Sequence, residues 1–166
     1  MLRKYTLFIV LLISMFVFTG CGENEELTAF ENDMKNFYDE VSAIESAISQ
    51  IDASSETAVD NLLVNMEEMA ACFQTLANIE VPMEFISIEE LADDASAYMD
   101  EAVRLYSEAY EEDYISDALV QAATENYESA MKRINYIAIL LQGEIPEDAI
   151  VVEGDGNEFE PYSEEE

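Results

Sequence analysis

Apolar side chains recur along most of this chain in steps of three and four residues, the spacing of one face of an α-helix. The first run occupies Leu27, Phe30, Met34, Phe37, Val41, Ile44, Ile48 and Ile51. The segment from Asp52 to Ser55 interrupts it. A second run follows at Val59, Leu62, Met66, Met69, Phe73 and Leu76, widened by Leu63 and Ala70. The pattern predicts two amphipathic helices separated by a short turn.

Two further runs of the same spacing follow a break at Pro82, a residue that disfavours helical geometry in the residue before it. The third run occupies Ile88, Leu91, Ala95, Tyr98, Ala102, Leu105 and Ala109. The fourth occupies Val120, Ala123, Tyr127, Ala130, Ile134, Ile137 and Leu141. Beside the third run lies a second apolar row, which packing against two neighbouring helices would explain: Met99, Val103, Tyr106 and Tyr110, with Tyr114 one turn further on.

The ends of the last two helices carry recognisable capping residues. Ser87 with Glu90 predicts a capping box at the third helix, although Pro82 at a first helical position would start that helix earlier. Asp113 or Ser116 is the expected N-terminal cap of the fourth helix. Gly143 follows Gln142 and is the expected C-terminal cap.

Four helices of about 22 to 28 residues each, joined by short loops, favour antiparallel packing at crossing angles near 20°. We therefore predict an all-α fold, an up-down-up-down four-helix bundle over residues 27–141. Small residues in the third and fourth runs should let those two helices approach closely. Residues 142–166 are acidic and predict a mostly disordered tail, in which the apolar segment 150–152 docks transiently on the bundle.

The first 21 residues have a different character from the rest. Arg3 and Lys4 precede an apolar run, Tyr5 to Phe18, which ends at Thr19, Gly20 and Cys21. At about 14 residues the run is shorter than the roughly 20 that span a bilayer, and it fits the apolar core of a secretory signal peptide. Cleavage would fall between Gly20 and Cys21. The alternative is an uncleaved N-terminal anchor with an incidental cysteine.

Phe18-Thr19-Gly20-Cys21 resembles the lipobox of bacterial lipoproteins, with Phe18 in place of the usual leucine. The resemblance implies recognition of Phe18, Thr19 and Gly20 by a signal peptidase and a diacylglycerol on the Cys21 thiol. Two acyl chains give stable anchoring. Residues 1–20 would then be a lipoprotein signal peptide and 21–26 a lipidated tether on the outer face of the cell membrane. The whole layout resembles the small, uncharacterised helical lipoproteins of Gram-positive Firmicutes.

The charge balance excludes one large class of partners. The chain has 38 acidic residues against 6 basic ones, a net charge of -32, and half of its residues are hydrophobic, as a folded protein requires. Without the leader, 4 bases and 38 acids remain, a balance of -34. Nucleic-acid binding is excluded because it requires Lys and Arg to neutralise phosphates. A cationic partner of the envelope or divalent cations are compatible with such a surface.

The chain contains no histidine and only two cysteines. Histidine-dependent catalytic triads and the common histidine-bearing metal sites are therefore excluded, and we expect no enzymatic activity and no resident metal or cofactor besides the lipid. Cys72 has no intramolecular partner if Cys21 is lipidated. It is expected to be a buried apolar residue, and the alternative is a disulfide between two copies of the chain.

Two groups of side chains are candidate ligand sites. Like charges four residues apart repel each other on a helix, and a bound calcium or magnesium ion would relieve the repulsion. Such pairs occur among Glu89, Glu90, Asp93 and Asp94. Favourable interaction with the helix dipole is the simpler explanation of these acids. Tyr98, Tyr106 and Tyr110 would form a ligand-binding strip if they were exposed, whereas packing in the core would hide them.

Two classes of function are compatible with these observations. The first is a lipid-anchored extracytoplasmic bundle that acts as a binding, scaffolding or accessory module. The second is a solute receptor or enzyme with a pocket between helices, for instance around Tyr98, Tyr106 and Tyr127. A polar pocket of several hundred Å³ inside the bundle would favour the second class, and a fully packed interior would favour the first.

Overall fold

The computed structural model describes residues 21–111, 115–146, 150–151 and 159–160, with side chains described over 25–111 and 115–146. The predicted signal peptide, 1–20, lies outside the described residues. The described chain forms four long helices, α1 (Cys21–Ser49), α2 (Ala58–Leu76), α3 (Ser87–Tyr110) and α4 (Asp117–Leu141). A short 3₁₀ helix, Met83–Phe85, lies between α2 and α3.

The helices pack as an all-α four-helix bundle, which confirms the predicted fold class. Helices that are consecutive in the chain are neighbours in space. The ring of helices closes between α1 and α4, where the Tyr38 hydroxyl donates a hydrogen bond of 2.8 Å to the Ile134 carbonyl. Glu45 contacts Tyr127, so positions further along α1 meet earlier positions on α4, and these two helices are antiparallel.

The core contains the residues that the hydrophobic spacing selects. Five consecutive members of the first run, from Phe30 to Ile44, are buried, and Leu27 and Ile48 pack partly buried at the ends of this face. Every member of the third run is buried except Tyr98, which is half-buried. Rings fill the space between α1 and α2, where Phe37 and Phe73 meet edge to face with centroids 5.4 Å apart.

Alanines let α3 and α4 pack closely, as the sequence predicts. Ala95, Ala102 and Ala109 on α3 and Ala123 and Ala130 on α4 are completely buried. A methyl side chain keeps two helix axes near the short end of the usual range of interaxial distances, about 8 Å. The α3–α4 pair is accordingly the most extensive helix contact of the described bundle.

The turn between α1 and α2 is held by its own polar side chains. Asp52 Oδ1 accepts hydrogen bonds from the Ser54 amide at 2.9 Å and from the Ser54 hydroxyl at 2.7 Å. These two bonds hold the pKa of the Asp52 carboxyl below its usual value. α1 ends three residues earlier, at Ser49. The Asp52 side chain therefore shapes the turn that follows the helix, since Asp commonly bonds to the backbone two residues later in turns.

The side-chain hydrogen bonds predicted to cap the N-termini of α3 and α4 are not formed by Ser87 or Ser116. Ser87 is the first residue of α3, and the residue before it, Ile86, already has helical backbone angles and makes no side-chain cap. The chain enters α3 through the 3₁₀ turn after Pro82, in which the Phe85 amide bonds to the Pro82 carbonyl at 2.8 Å. Ser116 does precede α4 as predicted, yet its side chain makes no capping hydrogen bond. Asp113 lies outside the described residues.

The predicted C-terminal cap at Gly143 is confirmed. Gly143 has a φ of +76°, a conformation that costs glycine little and other residues more. Its amide bonds to the Leu140 carbonyl at 2.9 Å, and the Glu144 amide bonds to the Ile139 carbonyl at 3.2 Å. This pair of bonds is a Schellman motif, and it satisfies two carbonyls at the end of α4.

The described residues include parts of the two segments that flank the bundle. Residues 21–26, predicted as a tether, are helical and belong to α1. In the tail, Ile150–Val151 (β1) pairs antiparallel with Phe159–Glu160 (β2), so that Ile150 faces Glu160 and Val151 faces Phe159. The tail over 142–166 was expected to be mostly disordered, and its described part contains this two-stranded ladder.

Candidate functional site

Of the predicted lipidation residues, only Cys21 belongs to the described chain. Phe18, Thr19 and Gly20 lie outside the described residues, and Cys21 is the first residue of α1. None of the four helices that the structure describes is long and apolar enough to cross a bilayer. The lipidated cysteine therefore stays a prediction that depends on the sequence motif.

The acids at the start of α3 do not converge on one point. Glu89, Glu90 and Asp93 are exposed. Asp94 is half-buried and faces α4, where its Oδ2 lies 3.7 Å from Arg133 Nε. Within 25–111 and 115–146, no three acids or cysteines are grouped as ligands for a metal ion. A cation site formed by all four acids stays a prediction.

The tyrosine row of α3 packs against α4 in the described structure. Arg133 lies over the ring of Tyr98, with its guanidinium carbon 4.8 Å from the ring centroid. The Tyr106 hydroxyl is 3.0 Å from the Thr124 hydroxyl. Tyr110 is half-buried. These contacts favour the packing interpretation of the row over an exposed strip, and Tyr114 lies outside the described residues.

Tyrosines also join α1 to α4. The Tyr127 hydroxyl donates to Glu45 Oε1 at 3.3 Å, and burial together with the nearby Glu45 carboxylate raises the pKa of Tyr127 to about 12. Burial alone raises the pKa of Tyr38, whose hydroxyl bonds to the Ile134 carbonyl. Both phenols are protonated at neutral pH, so they act here as hydrogen-bond donors between helices.

A groove of about 860 Å³ lies between α1 and the end of α2. We call it the α1–α2 groove. Seven of its lining residues belong to α1, namely Glu26, Ala29, Phe30, Asp33, Asn36, Phe37 and Glu40. The opposite wall consists of Cys72, Thr75, Asn78, Ile79 and Glu80. The groove follows the outer side of the helix pair, and the tyrosines of α3 do not line it.

The α1–α2 groove has an apolar floor and an acidic rim. Phe30, Phe37 and Cys72 are buried at its base, and Ile79 is half-buried beside them. Four carboxylates lie at its exposed edges, contributed by Glu26, Asp33, Glu40 and Glu80. A ligand that suits such a surface combines positive charge with a moderately apolar body.

Cys72 lies at the base of this groove as an unreactive thiol. Only 3% of the residue is exposed, and Sγ lies 3.9 Å from the Phe37 carbonyl. Burial, with a smaller contribution from the Glu40 carboxylate, raises the pKa of the Cys72 thiol to about 12. The thiolate is the reactive form of cysteine, so this side chain is a packing residue at neutral pH. The expectation of a buried apolar cysteine is confirmed.

A smaller groove, of about 290 Å³, lies between α1 and α4. Its walls include Tyr38, Glu45 and Met131. Neither groove lies at the position around Tyr98, Tyr106 and Tyr127 that the sequence offered for an internal pocket. In the described bundle that region contains packed rings and hydrogen bonds instead.

Sequence reasoning missed the α1–α2 groove although its pattern is present in the sequence. Glu26, Asp33 and Glu40 are seven residues apart, and so are the buried Phe30 and Phe37. Residues seven apart lie nearly on the same side of a helix, two turns along. In a chain with 38 acids, acids seven residues apart occur frequently by chance. The spacing indicates a groove only once the structure places Glu80 and Ile79 on the opposite wall.

Comparison of the chain with protein-family models, with curated proteins and with solved structures gives no match.

Proposed function

We propose that this protein is a lipid-anchored, extracytoplasmic helical bundle that acts as a binding, scaffolding or accessory module at the outer face of the cell membrane. The observation that carries the proposal is the ordered signal at the N-terminus: two bases, a short apolar run, two small residues and Cys21. In this proposal the diacylglycerol on Cys21 holds α1 at the membrane.

The packing of the described bundle supports a module whose binding surface is on its outside. The seam between α3 and α4 is filled by buried alanines and by the rings of Tyr98 and Tyr106. The carboxylates of the exterior repel nucleic acids and anionic headgroups, which are also negatively charged. This charge is compatible with a cationic partner or another partner in the envelope. The binding role is consistent with an exterior groove between α1 and α2.

The alternative is a solute receptor or an enzyme that uses a pocket between helices. The volume of the α1–α2 groove, about 860 Å³, favours this alternative because it lies within the usual range for ligand pockets. The groove nevertheless lies above the buried Phe30, Phe37 and Cys72, so a ligand would rest on the core.

The anchoring part of the proposal is tested with the two cysteines as a matched pair. Cells that express the full chain are grown with an alkyne-bearing fatty acid, and the label and the membrane fraction are followed for wild type, Cys21→Ala and Cys72→Ala. We expect Cys21→Ala to lose the label and to leave the membrane fraction or stay unprocessed, because its thiol would carry the lipid. Cys72→Ala should keep both properties, because that thiol is buried.

Label on Cys21→Ala, or a membrane-bound Cys21→Ala protein with the lipidated mass, would reject lipidation at Cys21. Loss of label from both variants would point to a folding or export defect, and the circular dichroism of each purified variant distinguishes that outcome from a specific one.

A further inference from the structure

The α1–α2 groove extends along α1. Its α1 wall extends from Glu26 to Glu40, fourteen residues apart, which corresponds to about 21 Å of helix. That length is about four helical turns of a ligand laid beside α1. An elongated groove along a helix pair is the geometry in which a helical segment of another protein commonly docks.

The spacing of the rim carboxylates matches a helical ligand. Successive acids on α1 are seven residues apart, or about 10.5 Å along the axis. A second helix beside α1 brings its own residues back to this face at the same interval. Lysines or arginines two turns apart on the ligand would therefore face Glu26, Asp33 and Glu40. The amines of a linear polyamine are more closely spaced and match this interval less well.

The polar side chains of the groove favour a ligand rich in hydrogen-bond donors. The Thr75 hydroxyl already donates to the Ala71 carbonyl at 3.0 Å, and the side-chain amide of Asn78 donates to the Gln74 carbonyl at 2.6 Å. Their remaining capacity, with that of the carboxylates, is largely as acceptors. Ammonium and guanidinium groups are donors only, so they complement this surface.

The basic residues of the described chain are engaged away from this groove. Lys35 pairs with Asp39, and Arg104 pairs with Glu101 and Glu108. Arg133 contacts Asp94 and the ring of Tyr98, and Lys132 lies over the ring of Tyr136, 5.5 Å from its centroid. The rim acids thus receive no cation from the groove's own lining. A second copy of this chain would bring the same excess of acid and repel the rim.

We propose that the α1–α2 groove docks a basic amphipathic helix of a partner protein, with Lys or Arg every two turns facing Glu26, Asp33 and Glu40 and with small apolar side chains over Ile79. This inference names the partner class of the proposed binding module and rests on that function. Lipidation is not required for the docking, so the two proposals can fail separately.

The test uses the full chain purified in a neutral detergent and a fluorescent helical peptide of Lys, Ala, Gln and Leu. One peptide has lysine at every seventh position, and a control peptide of the same composition has its lysines distributed around the helix. Fluorescence anisotropy, with empty micelles as the blank, measures both affinities. We expect the ordered peptide to bind about tenfold tighter, which is the effect of one well-placed charge interaction. Equal affinity for the two peptides would overturn the proposal.

Charge-matched variants separate the groove from the general acidity of the chain. Asp33→Asn with Glu40→Gln removes two rim charges, and Glu125→Gln with Glu128→Gln removes two exposed charges from α4. We expect the rim pair to weaken the ordered peptide about tenfold and the α4 pair to weaken it less than about twofold. An equal loss in both would mean non-specific attraction and would overturn the proposal.

A steric version of the test uses two exposed alanines. Ala29→Lys places a long cation inside the groove, and Ala97→Lys adds the same charge on the exposed face of α3. Only Ala29→Lys should abolish peptide binding. If spermine competes with the peptide at equal total charge, the groove binds a small organic cation instead. If the protein forms a concentration-dependent dimer that Ala29→Lys dissociates, the groove binds a second copy of the chain. Each of these outcomes overturns the proposal.

Discussion

Ile44 is the residue at which the packing of α1 is tested most directly. It belongs to the buried face of that helix, with 7% of its surface exposed, whereas its neighbour Ala43 is exposed. Adjacent residues on a helix point about 100° apart, so one position faces the core and the next faces water. The two sites allow the same charge to be introduced in both environments with the same local helix.

We predict that Ile44→Asp lowers the free energy of unfolding by at least about 3 kcal/mol, because an unpaired carboxylate would be buried and an apolar side chain lost. Ala43→Asp should cost about 0.5 kcal/mol, the helix-propensity difference. Urea unfolding followed by circular dichroism measures both. Similar values for the two variants would show that α1 does not pack on the core through Ile44.

At the scale of the helices, the helix ends were harder to predict than the buried helix faces. The sequence places Ser87 and Glu90 three residues apart, as a capping box requires, but the 3₁₀ turn after Pro82 already brings Ile86 into helical geometry. Ser87 is then inside the helix, where its side chain cannot cap it. The end of α4 could be predicted because glycine has a specific backbone role there.

The Gly143 cap gives a prediction at this scale. Replacement by alanine should lower the free energy of unfolding by about 1 kcal/mol, because a φ of +76° strains a residue with a Cβ. The reason is conformational, since an added Cβ meets no other atom within 4 Å. Gly143→Asn should cost less, because asparagine tolerates left-handed geometry better. Equal costs from thermal unfolding of the two variants would indicate that the Schellman geometry is not required.

At the scale of the whole molecule, hydrophobic spacing was sufficient to predict the bundle, and it was not sufficient to predict its surface. The buried positions of α3 follow from the three- and four-residue spacing of its apolar residues, which can be read from that helix alone. The α1–α2 groove depends on how the end of α2 and Glu80 lie against α1, which no single helix reveals. The β1–β2 ladder was missed for a related reason, because the pairing is visible only when two short segments separated by seven residues are considered together.

The excess of acid is the second property that belongs to the whole chain. The described lysines and arginines are already paired or stacked locally, so few of the described carboxylates have a cation beside them. On α3, Glu89 repels Asp93 and Glu90 repels Asp94 at a spacing of one turn, each by a few tenths of a kcal/mol. Such repulsion destabilises the compact state, and salt screens it.

We predict that added sodium chloride raises the melting temperature up to about 0.15 M, where the screening length is about 8 Å. Scanning calorimetry at increasing salt measures the melting temperature. A melting temperature that falls or stays constant would show that charge repulsion does not contribute significantly to stability.

Calcium chloride at matched ionic strength tests the α3 acids separately. A calcium site there requires an additional rise that Glu90→Gln with Asp93→Asn removes. Equal shifts with the two salts would reject the site and leave screening as the cause.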